Sequence, residues 1–171
     1  MTIPNGIICR YNNNIFTCEK GEITLTYRVA VRGVIVKIND GHIEFSKPRS
    51  TKKDFSSVRS ISAHLQNIFQ GLQKPYVYTL ETCNVHFPMI LKKEGENLII
   101  TNFLGERIAR RAKILSGVEL TIKGTTLYLS SHDKESAGQT AANIERATRI
   151  AKRDRRIFQD GIFITHWPGE T

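Results

Sequence analysis

The stretch VRSISAHLQNIFQGL, residues 58–72, carries apolar residues at helical spacing. They recur every three or four positions, with polar residues between them, as on the buried face of an amphipathic helix. The apolar stripe consists of Val58, Ile61, Leu65, Ile68, Phe69 and Leu72. We predict a helix that begins at Ser56 or Ser57, either of which is a plausible cap, and ends at Gly71.

Short extended segments precede this helix. In residues 23–31, apolar side chains alternate with smaller or polar ones, which is typical of a half-buried strand. Polar or Gly-containing connections separate the segments, and Asp40-Gly41 is the strongest hairpin signal among them. The predicted strands are 7–11, 15–18, 23–31, 34–39 and 42–46. The basic and polar residues 47–54 interrupt this pattern and predict a loop.

The same order of elements follows the helix a second time. A strand over 76–87 ends at Pro88, and a second helix places Ala137, Ala141, Ile144, Thr148 and Ala151 on its inward face. The remaining predicted strands are 89–93, 97–102, 107–115, 118–123, 126–130 and 157–164. The repetition predicts an α+β fold of two tandem homologous domains, 1–86 and 87–171. Each is expected to be a small antiparallel sheet packed against one α-helix.

Positive charge is concentrated in blocks. The 171 residues include 25 Lys and Arg against 16 Asp and Glu, a formal net charge of +9. Residues 107–113 hold four basic residues and no acid, residues 146–156 hold six against Asp154, and residues 47–53 hold four. Like charges at close spacing repel, so such blocks favour a polyanionic partner, for which nucleic acid is the common candidate. An ordinary basic surface is the alternative interpretation.

Motifs for catalysis or cofactor binding are absent from the sequence. Ser131-His132-Asp133 has the residue types of a hydrolase triad, but sequence neighbours on a turn cannot face one another as a triad requires. No metal-ligand spacing and no nucleotide-binding glycine motif occurs, so we expect no metal, no cofactor and no small-molecule substrate. Three scattered cysteines favour reduced thiols in a cytosolic protein. Neither a membrane span nor a targeting segment is recognisable, so we expect no membrane partner.

Several motifs resemble the large-subunit ribosomal protein L6 family. They are Val85-His86-Phe87-Pro88-Met89, residues 101–107 (TNFLGER) and residues 158–164 (FQDGIFI), together with parts of the first helix and Lys152-Arg153-Asp154. The resemblance is close from about Ser57 to Thr165. Before the first helix it is loose, because Cys18-Glu19-Lys20-Gly21 keeps little of the family's turn, and the tail after Thr165 also departs from the family.

The resemblance implies a structural, non-enzymatic constituent of the large (60S) ribosomal subunit. Its partners would be large-subunit rRNA near the sarcin-ricin loop stem and stalk base, and neighbouring ribosomal proteins there, with translational GTPases nearby. The protein would be cytoplasmic, with assembly in the nucleolus if eukaryotic, as the motifs suggest. The main rRNA-binding half would be the C-terminal domain.

We expect two groups of residues in that half to contact rRNA phosphates. A basic strand and turn would contain Asn102, Gly105, Arg107, Arg110, Arg111 and Lys113, and a second contact after the helix would contain Lys152, Arg153, Arg155 and Arg156. Lys92 would join the first group, since adjacent Lys92 and Lys93 point to opposite faces of a strand. Gly105 as a plain turn glycine and the second group as a solvated helix end are the alternatives. A free-standing structured-RNA-binding or RNA-processing protein, or a protein-interaction module, is the alternative function.

Overall fold

The computed structural model describes residues 1–29, 34–39, 41–47 and 51–169, and it divides the chain into the compact units Met1–Pro75 and Tyr76–Thr171. We call them unit 1 and unit 2. Each has one α-helix and antiparallel strands, which confirms the predicted α+β class. The described part of each unit contains two small sheets where the sequence predicted one.

Unit 1 combines a three-stranded sheet, a two-stranded hairpin and a helix. In chain order its elements are β1 (Ile8–Asn12), β2 (Ile15–Lys20), β3 (Ile23–Arg28), β4 (Ile35–Asn39), β5 (His42–Ser46) and α1 (Lys52–Gln73). The sheet has the order β1-β2-β3, and β4 pairs with β5. Phe16, Ile43 and Leu65 are almost fully buried where these elements meet. Asp40, and residues 30 and 31 of the predicted third strand, lie outside the described residues.

Helix α1 begins at Lys52, four residues before Ser56, the first of the two predicted start residues. The prediction of a loop over residues 47–54 is therefore partly wrong. Thr51 is the N-cap residue, and its backbone N–H and hydroxyl donate to the Asp54 carboxylate at 2.9 and 2.7 Å. These bonds satisfy groups that would otherwise be free at the helix start. The Lys47 ammonium and the N–H and hydroxyl of Thr51 lower the pKa of Asp54 to about 2.

Unit 2 contains a four-stranded sheet, a three-stranded sheet and a second helix. In chain order its elements are β6 (Tyr76–Cys83), β7 (Ile90–Glu94), β8 (Asn97–Thr101), a 3-10 turn (Phe103–Gly105), β9 (Arg110–Lys113), β10 (Glu119–Lys123), β11 (Thr126–Ser131), α2 (Lys134–Ala147) and β12 (Gly161–His166). The sheet orders are β10-β11-β6-β12 and β7-β8-β9. All pairings are antiparallel.

Strand β6 lies inside the four-stranded sheet, between β11 and β12. It therefore belongs to unit 2, whereas the sequence placed it at the end of the N-terminal domain and set the hinge at 86/87. The reason is pairing across a long sequence separation: β6 bonds to strands that lie more than forty residues further along the chain. Periodicity predicts a strand but says nothing of its partner.

The core of unit 2 lies between α2 and both sheets. The helix contributes Ala137, Ala141 and Ile144, and each sheet adds fully buried side chains, including Leu98 of β8 and Leu129 of β11. Each fully buried aliphatic side chain contributes roughly 1.5–3 kcal/mol to folding. Small residues at the inner face of α2 allow it to pack closely on both sheets, so the three-stranded sheet is held firmly at one side of the unit.

Helix α2 ends at Ala147, so the predicted inward positions Thr148 and Ala151 are not helical. Thr148 is buried as the C-terminal cap residue, and its hydroxyl accepts the backbone N–H of Ile162 in β12 at 2.9 Å. Ala151 is exposed. A contact with a distant strand thus stops the helix, which leaves residues 149–160 as an irregular segment at its C-terminal end.

Candidate nucleic-acid interface

One face of the three-stranded sheet carries Lys92, Arg111 and Lys113, which we call the basic face. Lys92 of β7 and Arg111 of β9 both stand opposite Ile99 of β8, and Lys113 stands opposite Asn97. Directly paired residues of antiparallel strands project to the same face. All three basic side chains are exposed, and the opposite face buries apolar residues. The sheet therefore presents three cations on one surface.

An ion pair lies at one edge of the basic face. The Lys92 ammonium contacts the Glu94 carboxylate at 2.9 Å, and both side chains are more than half exposed. An exposed pair of this kind contributes at most about 1 kcal/mol, so a phosphate can compete for the lysine. Lys93 lies on the other face, as the sequence predicted for one of the two lysines.

Arg110 belongs to the opposite face of β9 and is bound to protein groups. Its Nε and Nη2 donate to the two oxygens of Glu106 at 2.8 and 2.6 Å, and its Nη1 donates to the Ala147 and Arg149 carbonyls at 2.9 and 3.2 Å. The guanidinium also lies 4.1 Å from the centre of the Phe103 ring. Because every side-chain nitrogen of Arg110 is engaged, it differs from Arg111 and is placed to hold elements together.

The bidentate pair fixes the charge of Glu106. Hydrogen bonds from Arg110 hold the pKa of Glu106 below its ordinary value, and the positive charges of Arg110 and Arg153 add to this effect against the opposing effect of burial. The bond from Arg110 Nη1 to the Arg149 carbonyl at 3.2 Å places the start of the segment after α2 next to β9. The structure thus brings together the two basic blocks of the C-terminal half.

The turn before β9 contains three residues with a left-handed backbone conformation. Asn102, Leu104 and Gly105 all have positive φ, of 60°, 50° and 77°. The Asn102 amide donates to the Pro88 carbonyl at 3.0 Å, which ties the turn to the residues before β7. A Cβ on Gly105 would meet the Phe87 ring at an ordinary 3.6 Å, so its backbone angle, and not lack of space, favours glycine.

Arg107 follows this turn and points away from protein partners. Its side chain is exposed, and in the described part of the chain no hydrogen bond or ion pair engages the guanidinium. The turn is therefore followed by an exposed arginine that lies three residues before Arg110 in the chain. Asn102 and Gly105 have a conformational role in this geometry, since each shapes the backbone that carries Arg107.

The segment after α2 presents the second predicted group. Lys152 has a φ of 60° and is exposed, and the Arg153 guanidinium lies 4.7 Å from the centre of the Phe158 ring. Arg156 pairs with Asp154 at 2.9 Å although its own side chain is 90% exposed. Arg155 is exposed as well. All four basic residues therefore face solvent on a segment without regular secondary structure.

A buried carboxylate anchors the end of this segment. Asp160 is 1% exposed, accepts the backbone N–H groups of Val85 and His86 at 2.9 Å each, and contacts His86 Nδ1 at 2.6 Å. The His86 ring in turn stacks on Phe158 at 4.8 Å. Burial opposes the charge of Asp160, but these hydrogen bonds outweigh it and lower the pKa of Asp160. The His86 ring thus helps to support Arg153 through Phe158.

An open cavity of about 670 Å³ adjoins the segment after α2. Several of the residues that line it were not predicted to bind rRNA. Arg146 and Arg149 line it together with Arg155, and Phe163 and Ile150 supply apolar surface. Arg146 and Arg149 belong to the basic block over 146–156, so their charge was a usable signal. The exposed Phe163 had no comparable signal in the sequence, because an aromatic residue on a strand gives the same pattern whether it faces solvent or the core.

Ser131, His132 and Asp133 lie at the junction of β11 and α2, where Ser131 is the last residue of β11 and Asp133 is the N-cap residue of α2. The Asp133 carboxylate accepts the backbone N–H groups of Glu135 and Ser136 at 3.0 and 3.2 Å, and the Ser131 hydroxyl donates to the Gly117 carbonyl. The described residues contain no group of three or more His, Cys, Asp or Glu side chains placed to hold a metal ion. Among the same residues, no helix is long and apolar enough to cross a membrane.

Comparison with known proteins gives matches to one family. The family model described as ribosomal protein L6 matches residues 87–161, which include every candidate binding residue. A protein named large ribosomal subunit protein uL6 from Archaeoglobus fulgidus is 38% identical over 87% of this chain and 75% of its own length. Proteins of the same name from Methanocella arvoryzae and Methanosarcina mazei are 37% and 35% identical, each over 95% of this chain and 93% and 92% of their own lengths.

Proposed function

The chain belongs to the ribosomal protein L6 family, and we propose that it is a structural constituent of the large ribosomal subunit that binds large-subunit rRNA through unit 2. The relatives carry the name of a large-subunit protein, which supports the subunit assignment. Catalysis has no part in this proposal. The residues that resembled a catalytic triad have structural contacts instead.

The observation that carries the rRNA assignment is the basic face of Lys92, Arg111 and Lys113. Three exposed cations on a rigid sheet match the regular negative charge of an RNA backbone. Arg107, which lies before the first residue of β9, adds a fourth exposed cation. The 152–156 segment adds a second group of basic residues. Phosphate contacts position RNA, whereas its shape and hydroxyl groups supply selectivity for an A-form helix.

We assign different tasks to the predicted site residues. Lys92, Arg107, Arg111, Lys113, Lys152, Arg153, Arg155 and Arg156 are the proposed phosphate contacts. Asn102 and Gly105 shape the turn that presents Arg107, and Arg110 holds that turn against the C-terminal end of α2. The sequence grouped these residues by charge and position, and the contacts of each residue support this division of tasks.

The finer parts of the proposal rest on family resemblance. We place the contact near the sarcin-ricin loop stem and the stalk base, beside neighbouring large-subunit proteins, in a region that supports docking of translational GTPases. The protein would act on cytoplasmic ribosomes. If the source is eukaryotic, the subunit is the 60S subunit and assembly occurs in the nucleolus. The eukaryotic source stays a prediction from the motif pattern, whereas the three relatives reported above are archaeal.

The salt dependence of binding to a large-subunit rRNA transcript tests the proposed surface. Replacing Arg107, Arg111 and Lys113 together with Ala removes three exposed cations without touching Arg110. Each phosphate contact contributes about 0.7–0.9 to the slope of log K against log salt concentration. The triple variant should therefore reduce the magnitude of that slope by roughly 2–3.

A matched triple variant in unit 1 controls for net charge. Arg28, Lys37 and Arg59 are also exposed and lie outside the basic blocks, and their replacement with Ala removes the same number of positive charges. This control should keep most of the wild-type slope. Equal slopes for the wild type and the unit 2 variant, with both folded by circular dichroism, would contradict the assignment of the basic surface to rRNA.

A further inference from the structure

The hairpin of β1 and β2 holds two cysteines against each other. Cys9 and Cys18 are directly paired across the strands, and their sulfur atoms lie 2.7 Å apart. Both are free thiols, and the third cysteine, Cys83, lies in unit 2. The sequence favoured three scattered reduced thiols, because a separation of nine residues does not reveal a cross-strand pair.

The register places this pair at a position suited to a disulfide. The turn between the strands has two residues, Asn13 and Asn14, both with positive φ, so Asn12 and Ile15 flank it as a hydrogen-bonded pair. Away from the turn, hydrogen-bonded and non-hydrogen-bonded pairs alternate along the two strands. Cys9 and Cys18 are the third pair beyond Asn12 and Ile15, so they form a non-hydrogen-bonded pair. Such pairs have Cα atoms about 4.5 Å apart. Disulfides require roughly 4.4–6.8 Å, so the backbone need not move for a bond to form.

The two thiols differ in access. Cys9 lies on an edge strand and is partly exposed, whereas Cys18 lies on the central strand and is fully buried. A hydrogen bond with Cys18 lowers the pKa of Cys9 against the opposing effect of burial, and the same bond raises the pKa of Cys18. An oxidant in solution therefore meets Cys9 first, at the thiol that ionises more readily.

We propose that Cys9 and Cys18 are a redox-modification site, at which hydrogen peroxide converts two free thiols into a reversible disulfide between β1 and β2. The Cys9 thiolate attacks peroxide, the O–O bond breaks, and Cys9 becomes a sulfenic acid as hydroxide leaves. The Cys18 sulfur then attacks the Cys9 sulfur, its proton leaves, and the sulfenic oxygen departs as water. In total, two thiols lose two protons and two electrons, and one peroxide is reduced to two waters.

The disulfide would join two of the three strands of the β1-β2-β3 sheet. Strand β2 supplies the fully buried Phe16 and Cys18 to the core, so a covalent link to β1 opposes separation of the strands. Cross-linking reduces the conformational freedom of the unfolded chain. Backbone amides in residues 8–20 should therefore exchange with deuterium more slowly in the oxidised protein than in the reduced protein.

The test uses the full chain with Cys83→Ser, so that only the pair is counted. After hydrogen peroxide, thiol titration of the denatured protein should show loss of both thiols, and the mass should fall by about 2 Da for two lost hydrogens. Peptide mapping should place the bond between Cys9 and Cys18, and dithiothreitol should restore both thiols. The chain should remain monomeric on a non-reducing gel.

Single variants separate pair chemistry from general cysteine oxidation. Cys9→Ser and Cys18→Ala, each with Cys83→Ser, should form no intramolecular bond, and the Cys18→Ala protein should accumulate oxygen on Cys9. Retention of both thiols in the Cys83→Ser protein, or gain of oxygen at Cys9 without loss of the Cys18 thiol, would overturn the proposal. Equal deuterium exchange of residues 8–20 in the oxidised and reduced proteins would contradict the prediction that the disulfide stabilises the hairpin. No outcome depends on rRNA binding.

Discussion

Two adjacent arginines of β9 have opposite surroundings. Arg111 is exposed on the basic face, whereas Arg110 lies on the other face, where its guanidinium bonds to Glu106 and to two carbonyls at the end of α2. Alternation along a strand explains the difference, since successive side chains project to opposite sides. Charge alone made the two residues equivalent in the sequence, and the face of β9 on which each lies distinguishes the supporting Arg110 from Arg111, the proposed phosphate contact.

Arg110→Ala should lower the stability of unit 2 by about 1–2 kcal/mol, because it leaves Glu106 and the carbonyls at the helix end without their charged partner. Arg111→Ala should change stability by less than about 0.5 kcal/mol, since its side chain is exposed. Urea unfolding followed by circular dichroism measures both effects. Equal losses of stability in the two variants would contradict the division of roles.

Asp160 should make the stability of unit 2 sensitive to acid. Its pKa is lowered in the folded protein, so the folded state binds the proton less readily than the unfolded state. Stability from this group is therefore present above the ordinary pKa of 3.8 and is lost as pH falls through the lower folded pKa. Urea unfolding of wild type and Asp160→Asn at several pH values should show a difference that shrinks in acid. A difference independent of pH would exclude the charged form as the stabilising one.

The helices show what sequence patterns can and cannot predict. In the apolar stripe of α1, Ile61, Leu65, Phe69 and Leu72 are buried as expected, whereas Val58 and Ile68 are partly buried. Thr51 with Asp54 shows that a local capping pattern marked the true start of the helix. The end of α2 had no comparable local signal. Thr148 binds Ile162, and Arg110 binds the Ala147 carbonyl, so residues distant in sequence terminate the helix. Pairing of β6 with unit 2 was unpredictable for the same reason.

The N-terminal cap of α2 should tolerate Asn but not Ala at position 133. Asp133 accepts two backbone N–H groups, and loss of such a cap costs about 1 kcal/mol. Asp133→Ala should therefore destabilise unit 2 by this amount, while Asp133→Asn, which keeps an accepting oxygen, should remain close to the wild type. Thermal or urea unfolding measures the difference. Equal destabilisation by both substitutions would show that the cap bonds contribute little.

At the scale of the whole molecule, the sequence correctly predicted the fold class and the family. The motifs that carry the family resemblance lie mostly in residues 85–164, and the contacts of unit 2 give several of them physical roles. Asp160 anchors the segment before β12, and Asn102 shapes the turn before β9. Charge blocks indicated an RNA partner, but strand register was needed to show which cations share a surface.

The central claim is that this chain is held in the large ribosomal subunit by rRNA contacts of unit 2. Sedimentation of ribosomal subunits from cells that produce the tagged protein tests it most directly. The wild type should migrate with the large subunit and remain there in moderate salt, while the Arg107, Arg111 and Lys113 triple variant should be released at lower salt. Migration of the wild type as free protein even in low salt would contradict the claim.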